Sequence, residues 1–421
     1  MPSATSFSTG SSADLMPDHV ATLADLVRRA SVNPMGRIVA GPEYLEGRVT
    51  DHLVQRFTAA GIPWARQPVA PGRDNVVARL DPPEGPADGP VLLWDAHQDT
   101  VPVEGMTIEP FTPTVRDGRL YGRGACDVKG GMASMLVALD RLAATGGRHR
   151  PVVFTATVNE EFGFTGAKAV ARLWTTPADP SALSEGEKHA RRLLPVQPAD
   201  AIVAEPTSLD VVTTHKGAIR WRILVHGRAC HSAFPEEGDN AIYPAARAVL
   251  AIESLAKELL ARFPGHPCGP PTLSVGTVHG GTGVNLVPDL VVLEIDRRVV
   301  PGESPQDARS EVIERIAAAV APFGRDSRVE HEEPFLESSG LPEDAAGVSA
   351  AALLAAGKAI GRRPKRIAAR YGTNASVFAA AGVPCVVFGP GSIAQAHTAD
   401  EWIDLDEVDA AADMLVHVAR G

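Results

Sequence analysis

The chain has 421 residues, 44% hydrophobic and 22% charged, the composition of a globular protein too long for one ordinary core. Its net charge of −11, from 40 Lys+Arg against 51 Asp+Glu, excludes the basic footprint of a nucleic-acid partner. No stretch reaches the roughly 18 consecutive apolar residues of a membrane span, and "MPSATSFSTGSSADLMPDH" has neither the basic nor the apolar region of a secretory signal.

A flexible leader on a cytoplasmic protein is therefore expected. "DHVATLADLVRRA" (18–30) has helical periodicity, and "EYLEGRVTDHLVQRFTAAG" (43–61) repeats it and stops at Gly61 as a C-cap would. "RDNVVARL" and "VLLWDAH" predict strands, and "DVKGGMASMLVALDRLAATGG" a helix closed by glycine. The apolar strand "PVVFTATV", the helix "TGAKAVARLW" and the strand "DAIVAEP" follow, the last after a Pro- and charge-rich stretch over 175–198. Nearly continuous apolar strands alternating with helices predict a mostly parallel sheet covered on both faces.

The pattern changes near Thr214. "GAIRWRILVHG" alternates with period two, as a half-exposed antiparallel strand does. A helix (240–263), two strands (271–281 and 289–300), a helix (304–320) and a strand (327–333) follow, which is the β-α-β-β-α-β order of the ferredoxin-like unit. "VSAAALLAAGKAIG" and "VPCVVFGPG" then resume the first pattern. The expected fold is α/β, with a small α+β domain over 214–335 inserted into a larger one formed by 1–213 and 336–421. Cys126, Cys230, Cys268 and Cys385 form no C-x-x-C pair, so reduced thiols are expected and a cysteine-rich zinc site is excluded.

Ligands of open α/β sheets collect beyond the carboxyl ends of the strands. His97 and Asp99 follow "VLLW", Asp127 precedes a helix, Glu160 and Glu161 follow "VVFTATV", Glu205 follows "AIVA", and His397 lies beyond "PCVVF" and "GPG". Taken singly, His97-x-Asp99 is as well read as a polar strand end, Glu160-Glu161 as a solvated turn and Asp127 as a helix cap. Carboxylates gathered in one cleft repel one another, and divalent cations relieve that repulsion. Imidazole and carboxylate without sulfur suit Zn²⁺, and also Co²⁺ or Mn²⁺.

The runs "DAHQDTVP", "GRGACDVKGGMASML", "VNEEFGFTGAK", "AEPT" and "GPGSIAQAHTADEWI", in this order, resemble the two-metal amidohydrolases that include acetylornithine deacetylase, succinyl-diaminopimelate desuccinylase, aminoacylases and glutamate carboxypeptidase. The resemblance implies that His97 and Glu205 hold one metal, Glu161 and His397 the other, and that Asp127 bridges them. It makes Asp99 the acceptor of the second ring N–H of His97 and Glu160 a general base acting on water activated by two divalent ions, zinc foremost and cobalt next. In the inserted domain it implies a homodimer in which His231 of "GRACHSAFPEEG" reaches the neighbouring subunit's site to stabilise an oxyanion. Asn285 and Arg298 grip a substrate carboxylate, and Gly391 adds backbone N–H contacts. The implied substrate is an N-acyl amino acid or short peptide, with acetylornithine first.

Asn374 in "YGTNASVF" departs from the acidic residue of many relatives, and 175–198 is long for its link. A dinucleotide-binding reading of "GRGACD" and "HGGTGVN" fails: the first lacks the third glycine, and the second lies between antiparallel strands. A non-catalytic binding protein on the same scaffold is expected to lose ligands or the base, and all six positions are filled.

Overall fold

A computed structural model describes residues 18–84, 88–176, 183–323 and 328–421; the Ser-rich leader lies outside the described residues. The large sheet has eight strands in the order Trp64–Ala70, Arg73–Leu80, Val152–Thr157, Leu92–His97, Asp200–Val203, Cys385–Val387, Val211–His215 and Arg366–Ala369. Its four middle strands, from Val152–Thr157 to Cys385–Val387, are mutually parallel. The first three strands of that order pair antiparallel, as do Cys385–Val387 and Val211–His215.

Both faces are covered, which is why the middle strands read as unbroken apolar runs. Leu92, Trp94 and Ala96 pack on one side with residues of the helices Asp18–Val27, Gly47–Ala60, Gly130–Thr145, Ser349–Ala359 and Leu405–Arg420. Leu93 points the other way, with Val77 and Val153, against the helices Thr165–Thr175 and Ala375–Ala380.

A second sheet has the order Thr272–Gly280, Leu290–Val299, Gly217–His226, Arg328–His331, with Leu336–Ser338 also paired to Gly217–His226. With the helices Ile242–Leu259 and Pro305–Val320 it forms the ferredoxin-like unit that the sequence predicts. Ile219, Trp221, Ile223 and Val225 alternate into its core against Ile252, Leu255, Val312 and Ile316. On the opposite face, Arg220 and Arg222 stand across from Asp296 and Glu294 and bond to them at 2.7 Å each. Val211–His215 belongs to the large sheet and Leu336–Ser338 to the small one, so the chain crosses between sheets at Lys216 and again just after Ser338.

Of the 175–198 stretch, the described part forms the helix Glu185–Leu193, opened by a capping box of Ser184 and Glu187. It packs on the edge strand Trp64–Ala70: a Cβ at Gly186 would lie 2.6 Å from the Arg66 carbonyl oxygen. Among the described residues no helix is long and apolar enough to cross a membrane, and the four cysteines are free.

Candidate metal centre

The four parallel middle strands deliver their carboxyl ends to one rim. Val152–Thr157 leads to Glu160 and Glu161, Leu92–His97 ends on His97, Asp200–Val203 leads to Glu205, and the loop after Cys385–Val387 carries His397. Asp127, whose peptide bond to Val128 is cis, enters from the turn before the helix Gly130–Thr145. Its carboxylate lies between the two imidazoles, with Oδ1 3.1 Å from Nε2 of His97 and Oδ2 3.2 Å from Nε2 of His397. Nε2 of His397 is also 3.4 Å from Glu161 Oε1. Ligand atoms of His97, Asp127 and Glu161 lie within 4.8 Å of one another, and so do those of His97, Glu160 and Glu205.

Asn159 turns the chain out of its strand with φ 61°, a left-handed conformation that asparagine tolerates. Its side chain is held by Arg73 at 2.9 Å and Asn33 at 3.0 Å, and its N–H donates to Glu46, a buried carboxylate that also pairs with Arg73. The short helix Glu160–Gly163 starts there.

Asp99 differs from the role the resemblance implies. The Nδ1 of His97 meets the main-chain oxygen of Asp99 at 2.9 Å, while the nearest carboxylate oxygen is 3.8 Å away. The carboxylate instead accepts the main-chain N–H groups of Glu160 at 3.1 Å and Glu161 at 3.2 Å, and the Asn33 amide at 2.7 Å. The reason is geometric: the side chain of the second residue beyond His97 points at the start of the short helix, and its carbonyl points at the ring. Asp99 thus fixes the tautomer of His97 through its backbone and orients the glutamate pair through its side chain.

Charge is concentrated here. Burial pushes the carboxyl groups of Glu160, Glu161 and Glu205 up, Glu160 and Glu205 well above the usual carboxylate range; neighbouring carboxylates, Asp127 among them, add to this. Burial would pull both imidazoles down, yet Asp127 and the glutamates outweigh it and hold His97 well above its usual value and His397 near 11. Burial likewise works against the Asp127 carboxylate, and the hydrogen bonds from His397 and His97 override it and drive its value down. Four carboxylates outnumber the two imidazoles, and the buried Oε1 of Glu161, although 3.4 Å from Nε2 of His397, makes no hydrogen bond. The donor set and this orphaned oxygen fit divalent cations.

Arg298 joins the acidic cluster in a cleft of about 110 Å³, together with Arg220 and Tyr371. The cleft shares Arg298, Tyr371 and Ile393 with a cavity of about 710 Å³, also lined by Asp210 and Arg370. Nε and Nη2 of Arg298 are engaged by Asp296 at 2.7 and 3.0 Å, which sets the guanidinium plane. Arg297, adjacent in sequence, is fully buried and paired with Glu303 at 2.7 Å.

Three expected contacts lie apart from the cleft. His231 and Asn285 are exposed on the smaller sheet's domain, side by side: Ser232 N–H donates to the Asn285 carbonyl at 3.1 Å. The N–H of Gly391, expected to face substrate, donates to Glu407 at 2.7 Å, because φ of +81° turns it toward the helix Leu405–Arg420. Asn374, which stands where many relatives carry an acidic residue, is buried beneath the rim, donating to Asp95 and Thr157 at 3.0 Å each.

A buried His97, a more exposed His397 and the carboxylates between them, at the carboxyl edge of a parallel sheet and under an Arg-bearing second domain, define a metal-dependent amidohydrolase. The chain belongs to peptidase family M20/M25/M40, whose sequence profile matches residues 93–421. It is 32% identical to the acetylornithine deacetylase of Proteus mirabilis over 352 residues, 83% of this chain and 82% of the relative. The acetylornithine deacetylase of Myxococcus xanthus is 31% identical over 326 residues, 75% of this chain and 76% of the relative. Among solved structures, a tripeptidase from Staphylococcus aureus matches with a TM-score of 0.70 at 21% identity, covering 96% of this chain and 97% of that one. A Bacillus subtilis protein described as a dinuclear metal-binding peptidase of the same family matches with a TM-score of 0.62 at 16% identity, covering 96% of each chain. These structural likenesses show the fold.

Proposed function

We propose that the chain removes the acyl group from an N-acyl amino acid, N-acetylornithine foremost, at a centre of two divalent ions, zinc foremost and cobalt next. The observation that carries this reading is the convergence of His97, Asp127, Glu160, Glu161, Glu205 and His397 on one rim. His97 and Glu205 would hold one ion and Glu161 and His397 the other, with Asp127, which lies between both imidazoles, as the ligand shared by the two sets. Bound there, such ions supply Lewis acidity toward the scissile carbonyl and acidify water.

The protein's own residues do the rest. Glu160, its carboxyl raised by burial, takes the proton from water and later passes it to the departing amine. Arg298, its plane set by Asp296, meets the substrate carboxylate with the edge of the guanidinium that remains free. The adjoining cavity offers Asp210 alongside Arg298 and Arg370, so a carboxylate and the ornithine ammonium both find opposite charge.

The active form is a homodimer through the inserted domain, taken as 214–335 between a catalytic domain of 1–213 and 336–421. Support comes from the edge strand Thr272–Gly280, open to further pairing, and from exposed Tyr243, Leu250, Val278 and Val284 on that domain. His231 and Asn285 lie on the same domain and act on the partner's substrate. The protein works in the cytoplasm.

The test is a comparison of N-acetyl-L-ornithine, N-succinyl-diaminopimelate and dipeptides with added Zn²⁺ or Co²⁺. The highest kcat/KM is expected for N-acetylornithine. A preference for the succinyl compound or for dipeptides would assign the chain to a desuccinylase or a dipeptidase on the same scaffold.

A further inference from the structure

Glu401 is fully buried, four residues beyond His397, and its carboxylate lies under the turn that carries Asp127. Oε1 accepts the main-chain N–H groups of Cys126 at 2.9 Å and Asp127 at 3.0 Å. Oε2 accepts the N–H of Gly124 at 3.0 Å and Nη1 of Arg123 at 2.6 Å. A buried charge is costly unless all its acceptor capacity is used, and these four donors use it. The same arginine donates to the carbonyls of Pro102 and Thr398, so one ion pair joins the segments following His97, preceding Asp127 and following His397.

Glu401 is placed there by a three-stranded sheet: Trp402–Asp404 pairs with Arg119–Tyr121, and the Gly122 N–H donates to the Glu401 carbonyl at 3.0 Å. The segment that bears His397 and the turn that bears Asp127 are thereby held in one register. Glu401 itself does not line the cleft and reaches it only through the main chain of Asp127.

We propose that Glu401 is a positioning residue of the metal centre: by holding the main-chain N–H of Asp127, it sets the Asp127 carboxylate midway between His97 and His397. This rests on the reading of the rim as a two-ion centre. The amide of Glu401→Gln turns a donor toward donors at one of its two ends, so the turn shifts and the bridging carboxylate leaves its place. Loss of an outer partner of this kind costs about 10- to 100-fold in metal affinity.

The test uses the full chain, stripped with a chelator and checked for folding by circular dichroism, then titrated calorimetrically with Zn²⁺ and recorded as the Co²⁺ form by visible absorption. Wild type is expected to take up two ions. Folded Glu401→Gln is expected to bind Zn²⁺ at least tenfold more weakly, with an altered Co²⁺ spectrum, and Glu401→Asp to recover part of both. If Glu401→Gln does not fold, Glu401→Asp is read in the same way. A folded variant with wild-type affinity and an unchanged Co²⁺ spectrum would overturn the proposal. A wild-type chain that takes up no ion would remove the two-ion reading itself, and the proposal with it.

Discussion

Glu160 and Glu161 are adjacent, yet they face different neighbours because Asn159 turns the chain and Asp99 holds both of their N–H groups. Glu161 approaches His397, while Glu160 shares a cluster with His97 and Glu205. From this division follows the expected behaviour of Glu160→Gln: two ions per chain retained by elemental analysis, with kcat down about 100- to 10,000-fold, the range of a lost general base. Loss of an ion in that variant would make Glu160 a ligand. The sequence shows that a carboxylate follows His97 at two residues, but not which Asp99 atom meets the ring, since that depends on where the short helix begins. Glu401 was illegible for a similar reason: in "HTADEWI" it reads as one more surface acid, and only the pairing of two three-residue strands brings it under Asp127.

At the level of elements, legibility followed length and burial. The strands Leu92–His97 and Val152–Thr157 stand out as apolar runs because helices cover both faces. Trp64–Ala70 does not, because an edge strand containing Gln67 and Pro68 carries little periodic signal. The strands Thr114–Arg116, Arg119–Tyr121 and Trp402–Asp404 are too short to show any. The helix Glu185–Leu193 packs on the outer edge of the large sheet, away from the acidic rim. Ser184→Ala is accordingly expected to lower stability by ~1 kcal/mol, the value of an N-cap, with kcat/KM unchanged. A fall in kcat/KM at unchanged folding would tie this excursion to the cleft.

For the whole molecule, two properties depend on how the parts are joined. His215, at the end of its strand, is fully buried, and burial lowers its pKa to about 4 from the usual 6.5. Its neutral ring is held by the Lys216 carbonyl and the Thr373 hydroxyl. A histidine with a lowered folded value stabilises fully above its unfolded value, and that stability is lost as pH falls from 6.5 toward 4. Between pH 7.5 and pH 5 wild type should therefore lose about 2 kcal/mol more than His215→Gln in urea unfolding; equal losses would mean that the ring is not held neutral. The second property is assembly. His231→Ala mixed with Glu160→Gln should regain activity in verified mixed dimers, because one site then has both an intact base and an intact partner histidine. No recovery would place the action of His231 elsewhere.

The most direct test of the central claim is hydrolysis of N-acetyl-L-ornithine by the chelator-stripped protein during stepwise return of Zn²⁺ or Co²⁺. No turnover is expected in the stripped protein, with full recovery by two ions per chain. Undiminished hydrolysis in chelator, or no amide hydrolysis with two ions bound, would contradict it.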